Sequence, residues 1–295
     1  MSGSATFADR AFLWLQHALP QHLMTAFFRW LSGVRQAFVK NGLIKGFIRI
    51  FKVELVDVAR PVPDGFVDFN DFFTRELADG ARPIDPSGAS IVSPVDGIVS
   101  AAGGIVDDRI YQVKGRHYRL DDLLATDLAD AAGFENGLFA TLYLAPWNYH
   151  RVHSPLAGEL TALRYVPGSL YSVNDRTVRA LPKLFARNER LVAWLKTKVG
   201  AVCVIFVGAL NVGSITTPWT GRIIPRKRGV VDDLTPAQEG PIMLDKGDLL
   251  GWFNMGSSVI VLLPPGAGTW HDGLTHGEEL TMGAAIGTLA GNAGS

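Results

Sequence analysis

Trp252-Phe253-Asn254-Met255-Gly256-Ser257-Ser258-Val259-Ile260-Val261-Leu262-Leu263 reads as a buried strand, apolar and β-branched, interrupted once by Gly256-Ser257-Ser258. Glycine inside a strand weakens it and marks a bulge or a close backbone approach. Lacking a Cβ, Gly256 also leaves its carbonyl open to the hydroxyl of Ser257. A bulge in a core strand is the plain reading of these residues alone. A reactive Gly-Ser bond is the sharper one.

The chain around this stretch reads as strands. Beyond Pro83, Ile91-Val92, Gly97-Ile98-Val99-Ser100, Phe139 to Leu144 and Val202 to Val207 are short apolar runs cut by glycine and proline. One helical candidate, Leu120 to Ala132, interrupts them. Ser93-Pro94-Val95-Asp96-Gly97 and Ser154-Pro155-Leu156-Ala157-Gly158 repeat a Ser-Pro-x-x-Gly turn. Such turns enter strands in the small sandwich barrels of lipoyl and biotinyl carriers, and Asp245-Lys246-Gly247-Asp248-Leu249-Leu250-Gly251 resembles another turn of those folds. The expected fold class is α+β, mainly β, with a sandwich-barrel-like core from residue 68 to 295 and amphipathic helices before it.

Residues 1–67 follow a different grammar. Phe12, Leu15, Leu19, Leu23, Phe27, Trp30 and Leu31 recur at helical spacing, Pro20 sits where a second helix starts, and Ser32-Gly33 and Asn41-Gly42 read as breaks. No run reaches the eighteen or so apolar residues of a membrane span. Arg10, Arg29, Arg35, Lys40, Lys45, Arg49 and Lys52 face Asp9 alone among the first 52 residues. Basic, aromatic-rich helices suit a membrane interface, and packing against the core explains the same periodicity equally well. Pro61, Pro63, Asp64 and Gly65 form a linker closed by a short helical piece, Phe69 to Arg75.

Composition narrows the function classes. Lys plus Arg and Asp plus Glu both number 28, so no bulk field points to nucleic acid. A hydrophobic content of 47% supplies a sizeable core, and the single cysteine, Cys203, excludes an internal disulfide. Met1-Ser2-Gly3-Ser4 does not read as the start of a signal peptide, so export is not expected.

Three turns concentrate reactive groups: Asp96, the pair His150 and His153 in Tyr149-His150-Arg151-Val152-His153, and Gly256-Ser257. A serine hydroxyl becomes a nucleophile when a base takes its proton, and a carboxylate commonly fixes that base's tautomer. Each residue also has a plain reading: Asp96 as a turn residue, the histidines as hydrogen-bonded structural groups. No third ligand lies at metal spacing from His150 and His153, so no metal is expected.

Taken in order, Ser93 to Gly97, Tyr149 to His153, Tyr165-Val166-Pro167-Gly168, Ser172-Val173-Asn174, Leu184 to Arg190, Val207-Gly208-Ala209 and Gly256 to Ile260 resemble the motif series of bacterial phosphatidylserine decarboxylases. The resemblance runs from about Phe69 to Pro265. It departs at Met255-Gly256-Ser257-Ser258, where the family has Leu-Gly-Ser-Thr, but the Gly-Ser pair survives.

The resemblance implies a proenzyme that cuts itself between Gly256 and Ser257, with His153 as base, Asp96 orienting its imidazole, and Ser257 converted to a covalent pyruvoyl cofactor. It implies decarboxylation of phosphatidylserine to phosphatidylethanolamine, the carbanion being protonated by His150. Its expected partners are phosphatidylserine in an anionic membrane surface and its own two processed chains, with no nucleic acid. A homodimer is one expectation for its assembly. The expected location is peripheral, on the cytoplasmic side of the cell membrane.

Three rivals remain at this stage. A carrier domain needs an exposed hairpin-tip lysine between hydrophobic residues, and Lys246 lies between Asp245 and Gly247. A serine hydrolase needs a Gly-x-Ser-x-Gly elbow, which the chain lacks. A pyruvoyl-dependent decarboxylase of another amino-acid-containing substrate shares all the chemistry, and only the N-terminal helices speak against it.

Overall fold

A computed structural model of the chain describes residues 7, 13, 14, 16, 20–113, 116–126, 128–210, 214–255 and 257–291. The Ser257–Leu263 strand lies inside a nine-stranded antiparallel sheet, between Leu138–Leu144 and Gly200–Val207, with every one of its residues buried. Covered on both faces, such a strand needs no polar alternation, which is why its sequence is continuously apolar. Gly97–Gly104 and Glu279–Leu280 extend the sheet on one side. Arg190–Thr197, Gly158–Val166 and Asp232–Asp233 extend it on the other, with Ile242–Leu244 also on Gly158–Val166. The sheet stays open, since Asp232–Asp233 and Glu279–Leu280 do not pair with each other, so the core is mainly β without a closed barrel.

A second sheet runs in the order Gly221–Ile223, Ile215–Thr217, Leu249–Phe253, Arg151–His153. The chain therefore passes from one sheet to another between Phe253 and Ser257. Leu120 to Ala132 is not one helix but two short ones, Leu120–Leu124 and Leu128–Ala132, because Ala125 turns left-handed at φ 49° and ends the first.

The Ser-Pro-x-x-Gly repeat is a pseudo-twofold frame. Ser93 Oγ donates to the Val95 carbonyl at 2.7 Å, and Ser154 Oγ donates to that of Leu156 at 2.6 Å. Each serine also exchanges backbone bonds with a second turn: Ser93 with Gly283 and Ala284, Ser154 with Gly247 and Asp248. Gly283 and Gly247 have φ of 85° and 92°, which glycine adopts without cost. Across the axis, Val92 N–H donates to the Pro155 carbonyl and His153 N–H to that of Pro94. Side chains break the symmetry. Asp96 in the first turn corresponds to Ala157 in the second, and His153 before the second corresponds to Val92 before the first. The frame thereby brings an acid from one half beside a base from the other.

Helix α1 (Gln21–Ser32) starts after Pro20 and ends at Gly33, as expected. Helix α2 (Ala37–Phe51) runs straight through Asn41-Gly42, which is no break. An interior glycine costs about 1 kcal/mol, and the packing of this helix offsets it. Helix α3 (Phe69–Phe73) is capped by Asp68, whose Oδ1 accepts from Asp71 N–H at 2.8 Å. Ile44 and Phe47 of α2, Phe66, and Phe69, Phe72 and Phe73 of α3 form a second apolar core that also takes in Met255. That core draws on both sides of residue 67 and links the helices to the connection between the sheets.

Candidate active site

The connection Asn254–Gly256 carries the expected cleavage site, of which Gly256 lies outside the described residues. Asn254 is clamped. Its Nδ2 donates to Ser214 Oγ and Thr216 Oγ1, both at 2.8 Å, and its Oδ1 accepts from Asn70 Nδ2 at 3.0 Å. Met255 follows with φ 106°, a left-handed value that costs a non-glycine residue roughly 1–3 kcal/mol. Ser257 is 1% exposed, and neither its Oγ nor that of Ser258 has a hydrogen-bond partner. A buried hydroxyl left unsatisfied is uncommon and stands out beside a strained residue.

His153, at the end of the Arg151–His153 edge strand, is buried. Its Nδ1 lies 2.8 Å from the Gly247 carbonyl and its Nε2 lies 3.0 Å from the Tyr149 hydroxyl. Burial, then the charge of Arg151, outweigh the Gly247 bond and Asp96 and hold its pKa below the ordinary value. The ring is therefore neutral at neutral pH. A carbonyl only accepts, so the proton sits on Nδ1, and Nε2 presents a lone pair to the Tyr149 O–H. That is the tautomer a general base needs.

Asp96 does not make the expected contact with this ring, because both ring nitrogens are already engaged. Its carboxylate receives Arg82 Nε at 2.9 and 3.0 Å and Nη2 at 2.7 Å, and also the Met282 N–H at 2.8 Å. Asp57 holds the other arm of Arg82 at 2.8 Å. Asp96 reaches His153 through charge alone, raising its basicity. The tautomer is set by Gly247 and the orientation by Gly247 and Tyr149.

His150 is wholly buried and stacks on Phe73 with ring centroids 4.1 Å apart, its Nε2 facing the Pro146 carbonyl at 3.4 Å. Burial and then the charge of Arg75 push its pKa down to about 3. A cavity of about 540 Å³, lined by Arg75, Arg82, Asp96, Trp147 and Tyr149 among others, opens beside these groups. The structure thus gathers Asp96, His153 and His150 around Tyr149, whereas Ser257 Oγ makes no hydrogen bond to any of them.

Residues 69–288 match the family described as Phosphatidylserine decarboxylase, and residues 11–52 match one described as PSD. The chain belongs to the phosphatidylserine decarboxylase family. It is 46% identical over 283 residues to the phosphatidylserine decarboxylase proenzyme of Azotobacter vinelandii, covering 95% of this chain and 98% of that one. It is 41% identical over 284 residues to the proenzyme of Methylococcus capsulatus, covering 96% and 98%. To that of Pseudomonas aeruginosa it is 42% identical over 282 residues, covering 95% and 98%. This family is of the proenzyme type.

Sequence reasoning missed Tyr149, Gly247, Arg82, Asn254 and Arg75. Tyr149 lies within a motif already singled out, and Gly247, Asn254 and Arg75 lie in stretches read only as a turn, a strand and a helical piece; Arg82 falls outside them, and the long-range contacts of these four carry no local signal. Glu189, in another motif, has its own consequence. It is 1% exposed, accepts from the Tyr165 hydroxyl at 2.8 Å, and is pushed up to about 8 by burial.

Folding then couples to pH with opposite signs at the two ends. His150 binds its proton more weakly folded than unfolded, so stability falls as pH drops from 6.5 towards 3. Glu189 holds its proton more tightly when folded, so stability falls as pH rises from 4.5 towards 8. Glu189→Gln is expected to remove a decline of about 2 kcal/mol between pH 6.5 and 8, read by denaturant unfolding in a Ser257→Ala background. An unchanged slope would refute it.

Proposed function

We propose that this chain is a phosphatidylserine decarboxylase proenzyme that cuts itself between Gly256 and Ser257 and then converts phosphatidylserine to phosphatidylethanolamine and carbon dioxide. The observation that carries the proposal is Ser257 Oγ, buried without a partner two residues after the strained Met255, in the family-matched core.

Self-cleavage uses the chain's own groups. Ser257 Oγ attacks the Gly256 carbonyl carbon while its proton passes to a base, for which the Nε2 lone pair of His153 is ready. The Tyr149 hydroxyl now on that lone pair has to give way. The Gly256–Ser257 C–N bond breaks, the freed amine takes a proton, and an ester replaces the amide. A base then removes the Ser257 α-proton, the Cβ–Oγ bond breaks, and the upstream chain leaves as the Gly256 carboxylate. The remaining dehydroalanine tautomerises to an imine, and water displaces ammonia, leaving a pyruvoyl cap on the downstream chain. That cap supplies a ketone able to accept the electron pair left behind by carbon dioxide.

The site accommodates such a group, because Ser257 Oγ has no bonds to give up. His150 is placed in the proton-donating role. Its lowered pKa keeps it neutral at neutral pH, and a carboxylate entering beside it offsets the charge of Arg75 and favours its protonation. His150→Ala is expected to cut itself normally yet lose 10²–10⁴-fold in carbon dioxide release. His153→Ala and Asp96→Ala are expected to accumulate uncut chain, the latter through the lost charge. Normal cleavage in His153→Ala with a block in His150→Ala would reverse the two roles.

The membrane role rests on helix α1, which is turned inside out. Leu23, Phe27 and Trp30 are 72, 54 and 66% exposed, while its buried residues are Thr25 and Ser32. Positions 23, 27 and 30 share one face. An outward apolar face with basic neighbours suits a lipid interface, and no described helix is long and apolar enough to cross a membrane. This supports a peripheral enzyme, which we place on the cytoplasmic side of the cell membrane as part of the proposal, residues 1–67 making the lipid contact and 68–295 the catalysis.

A further inference from the structure

We propose that Arg75 recognises the phosphodiester of the lipid head group in the cavity beside Asp96 and Tyr149, an assignment that rests on the decarboxylase reading above. Arg75 follows the C-cap of α3, Thr74, and is 4% exposed. A guanidinium has five N–H bonds. Only Nη2 is used here, on the carbonyls of Trp147 at 3.0 Å and Asn148 at 3.4 Å. Nε and Nη1 have no partner, and among the described residues no carboxylate forms an ion pair with Arg75. Leaving a buried cation without a counter-ion costs several kcal/mol.

Other arginines nearby are committed. Arg82 is shared between Asp57 and Asp96, and Arg151 is held by Glu76 at 3.0 Å and by the Thr74 carbonyl. Arg75 is thus a cavity-lining residue whose Nε and Nη1 carry three N–H bonds buried at the cavity wall without a partner, which a ligand reaches by a small turn of the side chain. Its position also suits the chemistry, since Phe73, two residues before it, stacks on His150. An anion on Arg75 is presented beside the residue assigned to move the proton.

The occupant follows from what the reaction does to charge. A guanidinium clamped on the substrate carboxylate would stabilise the group that has to leave as neutral carbon dioxide. A phosphodiester keeps its charge throughout, so contact with it gives binding without opposing the chemical step. Planar guanidinium and phosphate match in geometry.

The test uses the mature enzyme and two variants, Arg75→Gln and Arg75→Lys, each first checked for self-cleavage by intact mass. Three inhibitors are compared on short-chain phosphatidylserine: glycerophosphoglycerol, a phosphodiester with no amine to condense with a ketone; N-acetylserine, a carboxylate with no phosphate; and inorganic phosphate. Binding of the same three is read by calorimetry. In wild type, glycerophosphoglycerol is expected to bind more tightly than inorganic phosphate. Arg75→Gln is expected to weaken glycerophosphoglycerol and raise KM by roughly 10–100-fold, with N-acetylserine unaffected, while kcat also feels the lost charge beside His150, an effect that Arg75→Lys, keeping the charge, avoids. Arg75→Lys is expected to fall between and to mature even if Arg75→Gln does not.

Equal glycerophosphoglycerol affinity in wild type and variants would overturn the proposal, and a changed pH profile of kcat would then mark Arg75 as acting only on His150. Selective loss of N-acetylserine would assign it to the carboxylate, and equal affinity for inorganic phosphate in wild type would make the site a general anion site, each also overturning it. Failure of wild type to release carbon dioxide from phosphatidylserine would sink the parent reading instead.

Discussion

Ser257→Ala is expected to yield one uncut chain with no measurable decarboxylation, whereas wild type separates into residues 1–256 and 257–295. The downstream wild-type chain should be lighter than a peptide beginning with serine by the mass of one ammonia. This substitution is unusually clean. The Oγ it removes makes no hydrogen bond, so no buried partner is orphaned, and the cost that usually follows deletion of a buried hydroxyl is absent. The uncut protein should therefore fold with wild-type cooperativity, separating a chemical defect from a folding one. Ser257→Cys retains a nucleophile and is expected to cut slowly. An uncut Ser257→Ala protein that still releases carbon dioxide would dispose of the self-made cofactor.

The strain at Met255 bears on the rate of that cut. Its φ of 106° sits one residue before Gly256, and the Asn254 clamp prevents relaxation toward the upstream side. Cleavage at the proposed bond would free residue 256 as a chain end and release strain stored in the uncut chain. The second apolar core holds the same methionine through packing. Helix packing and self-cleavage thereby meet at one side chain.

How far the sequence foretold this site depends on the range of the interactions. The Ser257–Leu263 strand and the two Ser-Pro turns were legible because each is fixed by its own residues: a continuous apolar run, a hydroxyl two residues from its acceptor, a glycine entering a strand. The second half of the pseudo-twofold was not. Thr281-Met282-Gly283-Ala284 shares only its glycine with Asp245-Lys246-Gly247-Asp248, and the likeness lies in backbone bonds. Of the Asp-His-Ser grouping, the fold brings Asp96 and His153 into one neighbourhood with different partners from those expected, and Ser257 Oγ bonds to neither. Arg82 takes Asp96 and a backbone carbonyl takes His153, and neither contact has a local signature. At Asn41-Gly42 the local signal for a break was overridden by aromatic packing along α2.

Replacing Leu23, Phe27 and Trp30 together by serine is expected to abolish flotation with anionic liposomes and activity on bilayer substrate, while leaving self-cleavage and short-chain activity intact. These side chains are already 72, 54 and 66% exposed, so little packing is lost with them. Burying each in lipid is worth roughly 1.5–3 kcal/mol, so the three change membrane partitioning by several orders of magnitude. Charge contributes a smaller, salt-sensitive share of about 1 kcal/mol per basic residue at an anionic surface. Lys40 is excluded from that share, because its Nζ is turned inward onto the carbonyls of Pro63 and Phe66. Lys45→Gln with Arg49→Gln should therefore weaken flotation at low salt and matter little at high salt, whereas the apolar triple variant should fail at both. A point-substituted helix is a better probe than deletion, since removing residues 1–67 would strip Ile44, Phe47 and Phe66 from the core that holds Phe73 against His150. Equal flotation of the triple variant and wild type would move the lipid contact away from α1, to the exposed Phe38 and Ile50 of α2 or to Trp147 at the cavity.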